Sequence, residues 1–202
     1  MLQRSEEWYE KRRGRFTASN IINILGKDGL KKTNDAIKNM ALNKAIEEVF
    51  GVDQEDGFVS FDMQRGIDLE PMAFECFKNL KSLDFIDVEN CSFFEYGKNA
   101  GASPDGIVSG DSCLEIKCPK KNNFFEVVIS NEIDPKYYAQ MQMQMLCTGS
   151  IQCYYFNYIV LNSQEHYHEI VVERDEKYIE LIKERILIAS ELKNQFIKKI
   201  KK

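Results

Sequence analysis

The stretch from Ser103 to Pro119 constrains this chain more than any other. Ser103-Pro104-Asp105-Gly106 and Leu114-Glu115-Ile116-Lys117-Cys118-Pro119 flank the turn residues Ser109-Gly110-Asp111-Ser112, which predicts a β-hairpin. Strand side chains alternate between faces, so Glu115 and Lys117 point one way and Ile116 the other. Antiparallel pairing across a short turn sets Asp105 beside Glu115. Two carboxylates and an ammonium then share one edge of a sheet. Hard divalent cations take clustered oxygen ligands of this kind. A cation there acidifies water and neutralises charge on a phosphoryl oxygen. Lys117 is placed to hold or deprotonate the attacking water, or to offset developing negative charge. The spacing D-x9-E-x-K, from Asp105 to Glu115 and Lys117, therefore suits phosphodiester hydrolysis. The same residues also fit a solvated hairpin of mixed charge. Pro104 and Gly106 around Asp105, and an apolar strand in which unpaired charge is costly, favour the chemical reading.

The rest of the composition narrows the setting. A chain of 202 residues, 44% hydrophobic and 29% charged, is expected to form a single domain over residues 1–202 with its own core. The six cysteines, at 76, 91, 113, 118, 147 and 153, include no C-x-x-C pair. They read as reduced thiols and argue against a zinc ribbon or an iron–sulfur cluster. No run approaches the roughly 20 apolar residues of a membrane span, and Met1 to Glu7 lacks a secretory pattern. The expected location is the cytoplasm of a bacterium or a phage-infected host cell. A net charge of −5 gives no global attraction to nucleic acid, so any DNA surface must be a local patch. Lys11, Arg12, Arg13 and Arg15 form one basic cluster, and Lys117, Lys120 and Lys121 another. Lys198, Lys199, Lys201 and Lys202 form a third, which reads as a solvated helix end.

Along the chain, residues 5–13 predict a short helix carrying Trp8. Thr17 to Asn20 supply cap residues before Ile21, Ile22, Ile24 and Leu25. Residues 34–49 repeat near a 3.6 period and predict a helix. Asp62 is expected to cap a helix over about 63–79, interrupted or kinked near Pro71. Strands are expected at 83–88, 91–96, 102–109 and 113–118, then a helix at 122–130. Asp134-Pro135 opens the next helix, by cap and first-turn proline. Its sequence, Ala139-Gln140-Met141-Gln142-Met143-Gln144-Met145, alternates like a strand. The Asp-Pro start and the unbranched residues favour helix. On a helix Gln140 and Gln144 share a face and Gln142 does not; the methionines read as core. Residues 151–161 and 167–173 predict a strand pair, and about 175–200 a long amphipathic helix. His166 and His168 read as surface strand residues. The order of elements is α/β or α+β.

Five motifs in this order resemble the lambda exonuclease / YqaJ-like viral recombinase family, a branch of the PD-(D/E)xK nucleases. Trp8 with Lys11-Arg12-Arg13-Gly14-Arg15-Phe16-Thr17-Ala18-Ser19 is similar to its opening W-x3-R-x-G-x2-T-A-S. Gly66 to Ala73 resembles its G-x3-E-x2-A helix. S-P-D-G, L-E-I-K-C-P and Tyr138-Ala139-Gln140-Met141-Gln142 follow. Glu173 to Tyr178 also matches. The resemblance implies an α/β fold with a restriction-endonuclease-like core: a central mixed β-sheet flanked by helices, and a long C-terminal helix. It implies Asp105, Glu115 and the Ile116 carbonyl as metal ligands, with Glu70 helping to hold a second metal or a water. Lys117 becomes the catalytic lysine and Gln140 contacts the scissile region. Arg12, Ser19 and Ser103, with Thr17 and Arg15 beside them, become the grip on a 5′-terminal phosphate. The implied cofactor is Mg²⁺, with Mn²⁺ possible and two ions per site.

The function expected on this basis is a metal-dependent 5′→3′ exonuclease on linear double-stranded DNA. It would release 5′-mononucleotides and leave a 3′ single-stranded tail for phage-type recombination. Implied partners are linear duplex DNA and a single-strand annealing protein, with a homotrimer as the possible assembly and no membrane. The alternatives are a PD-(D/E)xK endonuclease and a non-catalytic DNA-binding recombination scaffold. The intact set of Glu70, Asp105, Glu115 and Lys117 weighs against the scaffold.

Overall fold

The computed structural model describes residues 3–25, 34–51, 60–84 and 86–202. Seven α-helices and eight strands are assigned among them: α1 (Glu6–Arg12), β1 (Phe16–Thr17), α2 (Ile22–Leu25), α3 (Asn34–Phe50), α4 (Phe61–Ser82), β2 (Val88–Glu89), β3 (Phe94–Tyr96), β4 (Ala100–Ala102), β5 (Gly106–Val108), β6 (Ser112–Lys117), α5 (Lys121–Ser130), α6 (Pro135–Thr148), β7 (Gln152–Leu161), β8 (Gln164–Glu173) and α7 (Glu176–Ile200). A 3-10 turn, Ala18–Asn20, follows β1.

The strands form a five-stranded sheet ordered β2-β5-β6-β7-β8 and a three-stranded sheet ordered β1-β4-β3. In the larger sheet only β6 and β7 are parallel, and the connection between them contains α5 and α6. The sheet is therefore mixed and flanked by helices, as the sequence predicts. On one face Ala73, Phe74 and Phe77 of α4 pack with Leu114, Ile116, Phe156 and Tyr158. On the other, Met141 and Met145 of α6 pack with Cys113, Cys153 and Tyr155. A third cluster joins Ala139 and Met143 of α6 to the smaller sheet, α2, α3 and α7.

The alternation in α6 follows from this placement. Met141, Met143 and Met145 are all buried, but in two different cores. A helix wedged between two cores is apolar on more than one side, so a single amphipathic stripe is absent. Asp134 caps it by accepting from the Lys136 amide, with Pro135 in the first turn, and the helix forms as predicted.

Three expectations need correction. The helix α4 begins at Phe61, with the Ser60 hydroxyl accepting from the Met63 amide; Asp62 lies in the first turn and pairs with Lys120 at 2.6 Å. It runs through Pro71 to Ser82 as one assigned element. The strand expected over 102–109 is two strands in different sheets. Pro104, which has no amide hydrogen, lies in the break, and pairing resumes where the Asp105 amide donates to the Leu114 carbonyl at 2.8 Å. The strand expected at 83–88 is reduced to Val88–Glu89, Phe85 lying outside the described residues. Among the described residues no helix is long and apolar enough to cross a membrane.

Candidate active site

The hairpin has the register the turn chemistry predicts. Gly106 pairs with Leu114, Ile107 with Cys113 and Val108 with Ser112. Ser109 and Gly110 take left-handed backbone, with φ of 49° and 82°, which is the twist that tight hairpins favour. Asp105 consequently stands next to Glu115. Its Oδ2 accepts from the Ile116 amide at 2.7 Å. The loop holding Asp105 is pinned through Pro104, whose carbonyl accepts from Gln3 Nε2 at 2.9 Å and from the Cys91 thiol at 2.8 Å.

Glu115 is buried to 2% exposure, and α6 supplies its partners. Gln140 Nε2 donates to Oε1 at 2.7 Å and Gln144 Nε2 donates to Oε2 at 2.5 Å. Lys117 also donates to Oε1. Its ammonium lies 4.8 Å from the centre of the Tyr137 ring. Burial would lower the Lys117 pKa, but the charges of Glu115 and Asp105 outweigh it and hold the ammonium more firmly protonated than usual. Asp105 moves the other way. Burial and the carboxylates of Glu115 and Glu70 raise its pKa well above the ordinary range, against the pull of Lys117 and the Ile116 amide. The same surroundings push the Cys91 and Cys118 thiols up to about 12, burial being the main cause in each.

Glu70 projects from α4 into a cavity of about 1090 Å³ whose lining also includes Trp8, Ser19, Ile116, Lys117 and Tyr137. It is paired with Arg4 at 2.7 Å. The end of β6 is held to α4 by Arg65 Nη2, which donates to the Cys118 carbonyl at 2.8 Å. Beside the cavity, Trp8 Nε1 donates to Ser103 Oγ at 2.8 Å. The Arg12 guanidinium lies over the Trp8 ring at 4.0 Å and donates to Ser19 Oγ at 3.3 Å. Thr17 and Ser19 hydroxyls are 3.2 Å apart. Arg12, Ser19, Ser103 and Thr17 are thus brought together around Trp8. Arg15 is not: it binds Glu95 at 3.0 Å and the carbonyls of Lys11 and Lys98.

The donor set fits a hard cation. Asp105 and the buried Glu115 converge beside the single ammonium of Lys117, and burial first, then the carboxylates of Glu115 and Glu70, raises the Asp105 pKa. Among the described residues no three His, Cys, Asp or Glu side chains form a closed cage. An ion there would draw on two carboxylates, a main-chain oxygen and water, a mixture Mg²⁺ tolerates well.

Residues 7–150 match the family described as the YqaJ-like viral recombinase domain. The chain belongs to that family. Solved structures resemble this YqaJ-like chain over nearly its whole length. The alkaline exonuclease LHK-Exo from Laribacter hongkongensis is 26% identical, covering 98% of this chain and 96% of its own, with a TM-score of 0.84. Its complex with dAMP aligns at 26% identity over 95% and 94%, with a TM-score of 0.80. A phage-related exonuclease from Haemophilus somnus 129PT shares the fold at 17% identity over 92% and 96%, with a TM-score of 0.68. Among curated proteins no sequence matches significantly.

Several residues of the YqaJ-like site lie beyond the sequence-predicted set. Gln144 was legible as the i+4 partner of Gln140. Gln142, on the other face, donates to the Glu173 carbonyl and accepts from the Asp175 amide. With Arg174 on the Met145 carbonyl and Asp175 capping α7, it makes the Glu173–Tyr178 motif a latch between α6 and α7. Arg4, Tyr137, Tyr155 and Asn157 left no sequence signal. His166 and His168 are on β8, outside the cavity lining.

Proposed function

We propose that this protein is a metal-dependent deoxyribonuclease that digests linear duplex DNA from a 5′ end, releasing 5′-mononucleotides and leaving a 3′ single strand. The observation that carries the reading is the convergence of Asp105 and the buried Glu115 on one sheet edge, with Lys117 held against Glu115. Asp105, Glu115 and the Ile116 carbonyl would hold Mg²⁺ or Mn²⁺, and Glu70 would serve a second ion or a water. A cation held there would supply acidification of a water and charge neutralisation at the phosphoryl group.

The chain's own residues do the rest. Gln140 and Gln144 fix the Glu115 carboxylate from two sides, so its orientation is set before substrate arrives. Lys117 orients the attacking water and offsets charge on the phosphoryl oxygens. Arg12 meets a terminal phosphate with its planar fork, and Ser19 and Ser103 add hydroxyl donors. Trp8 holds Arg12 and Ser103 in place. An anchored terminus near the carboxylates gives end-directed cleavage, and backbone contacts make binding weaken with salt. The family match and the similarity to the alkaline exonuclease of Laribacter support this reading. So does that relative's complex with dAMP, a nucleotide of the kind such cleavage releases. We further propose a single-strand annealing partner and a trimeric assembly from the family resemblance, and one domain over 1–202 and a cytoplasmic setting from length, composition and cysteine usage.

The test is a time course on strand-labelled linear duplex with 5′-phosphate or 5′-hydroxyl ends, in Mg²⁺ or EDTA, with a closed circle as control. Mononucleotides released in Mg²⁺ from the phosphorylated end, with the circle intact, support the reading. Cutting of the circle makes the protein an endonuclease, and no metal-dependent cleavage makes it a binding scaffold.

A further inference from the structure

Asn157 of β7 is the register partner of Lys117 of β6 in the parallel pair. Such partners point to the same face, and adjacent strands lie about 4.8 Å apart. The two side chains therefore share the face that carries Glu115 and Tyr155, which are themselves partners. Lys117, Tyr155 and Asn157 all line the cavity. Asn157 is 1% exposed, and its Oδ1 has no hydrogen-bond partner. Its amide end faces the Tyr155 phenol on the same strand, toward which it can donate. A buried carboxamide whose acceptor is idle is costly, and native interiors rarely keep one. A cost of that kind in the floor of a site points to another state in which the group is partnered.

Lys117 identifies the partner. Its ammonium has three donors and no acceptor, and in the structure it is held by Glu115. Glu115 takes one of these donors, so a second can turn to another acceptor while the third serves water or a phosphoryl oxygen. The free acceptor across the strand pair is Asn157 Oδ1. We propose that Asn157 is a positioning residue for Lys117: its Oδ1 accepts from the ammonium when substrate is bound, and so aims the remaining donor at the attacking water or a phosphoryl oxygen. A neutral amide holds the ammonium without cancelling its charge, so Lys117 keeps its electrostatic effect on the phosphate. The inference rests on the nuclease reading above.

The experiment compares wild type, Lys117→Ala, Asn157→Leu, Asn157→Ala and Asn157→Gln on 5′-phosphorylated linear duplex in Mg²⁺. It records kcat, KM, duplex affinity in EDTA and Tm. Losing a hydrogen bond to a charged group should lower kcat of Asn157→Leu and Asn157→Ala by about 10- to 100-fold. KM and affinity should stay within about twofold, because the interaction matters after binding. Asn157→Gln, which keeps a neutral carboxamide acceptor, should recover much of the loss. The Tm of Asn157→Leu should hold or rise by about 2–4 °C, because an idle polar group has been replaced by an apolar one. If Leu fails to fold, the ratio of Asn157→Gln to Asn157→Ala carries the same test. Wild-type kcat in Leu and Ala would overturn the inference, as would a loss that follows a falling Tm and is not recovered by Gln. If wild type releases no nucleotide, the nuclease reading has failed. If wild type works, Lys117→Ala does not and Asn157→Leu does, only the role of Asn157 has failed.

Discussion

Two charge clusters in this molecule use the same residue types to opposite ends. Between α3, α7 and the loop after α1, Lys44 bridges both Glu47 oxygens at 2.8 Å. Lys193 binds Glu48 and the Gly14 carbonyl, each at 2.8 Å, and the Gly14 amide donates to Glu47 at 3.1 Å. Gly14 has φ +68°, and a Cβ there would come within 2.8 Å of Glu48 Cβ, so the loop requires glycine. Each carboxylate has a cation. The hairpin cluster is unbalanced: Asp105 has a backbone amide but no ion pair among the described residues, and Glu115 shares Lys117 with it. Matched charge locks elements together, whereas an excess of one sign waits for a ligand of the other.

The sharpest break in that comparison is removal of the lysine from each cluster. Lys117→Ala should lower turnover of the folded protein by about 10²- to 10⁴-fold, while duplex affinity in EDTA survives. Lys44→Met should do the reverse. It leaves Glu47 buried beside a single amide, which costs about 3 kcal/mol and lowers Tm by roughly 10 °C. The turnover of the remaining folded protein should stay at wild type. Calorimetry and single-turnover assays on both variants check the pair. If Lys44→Met lost turnover at full fold content, the division into locking and functional clusters would be wrong.

How much of this was legible follows from which interactions are local. The Asp105–Glu115 pairing could be read because a turn fixes register, and a register fixes every cross-strand neighbour. The shared face of Gln140 and Gln144 could be read because helical spacing fixes it. The Arg4–Glu70 pair joins residues 66 positions apart, and nothing in either segment announces the other. Asn157 lies within Tyr154-Tyr155-Phe156-Asn157-Tyr158-Ile159, a run that reads as plain core strand. Its significance appears only when β7 lies beside β6. The break at Pro104 was hidden because both halves, 100–102 and 106–108, have strand-like residues, while the decision to place them in different sheets is tertiary. Helix α6 was the hard case for the same reason, since its two cores come from distant parts of the chain.

A smaller effect probes the edge of the site. Arg12 is the one sequence-predicted phosphate contact that is a full charge and lies against Trp8 and Ser19. Arg12→Ala should slow digestion of 5′-phosphorylated ends by about tenfold, the scale of one charge-assisted hydrogen bond, and should leave 5′-hydroxyl ends nearly unchanged. Initial rates on the two substrates check this. An equal loss on both would make Arg12 a general backbone contact.

The smallest effect tests the imbalance directly, without substrate. The folded pKa of Asp105 is raised, so the folded state binds this proton more tightly than the unfolded chain does. The linkage relation then makes stability fall as pH rises, starting near the ordinary aspartate value of about 3.9 and levelling off above the raised folded value. Asp105→Asn removes the charge but keeps an oxygen for the Ile116 amide. In EDTA its Tm should match wild type at the acidic end of that window and exceed it by about 2–4 °C at pH 8. The same comparison for Glu47→Gln, in the matched cluster, should show a loss of Tm at pH 8, because there the carboxylate has its cation. An Asp105→Asn variant that is less stable than wild type at every pH would mean Asp105 is already compensated in the folded protein, and the excess charge on which the metal assignment rests would disappear with it.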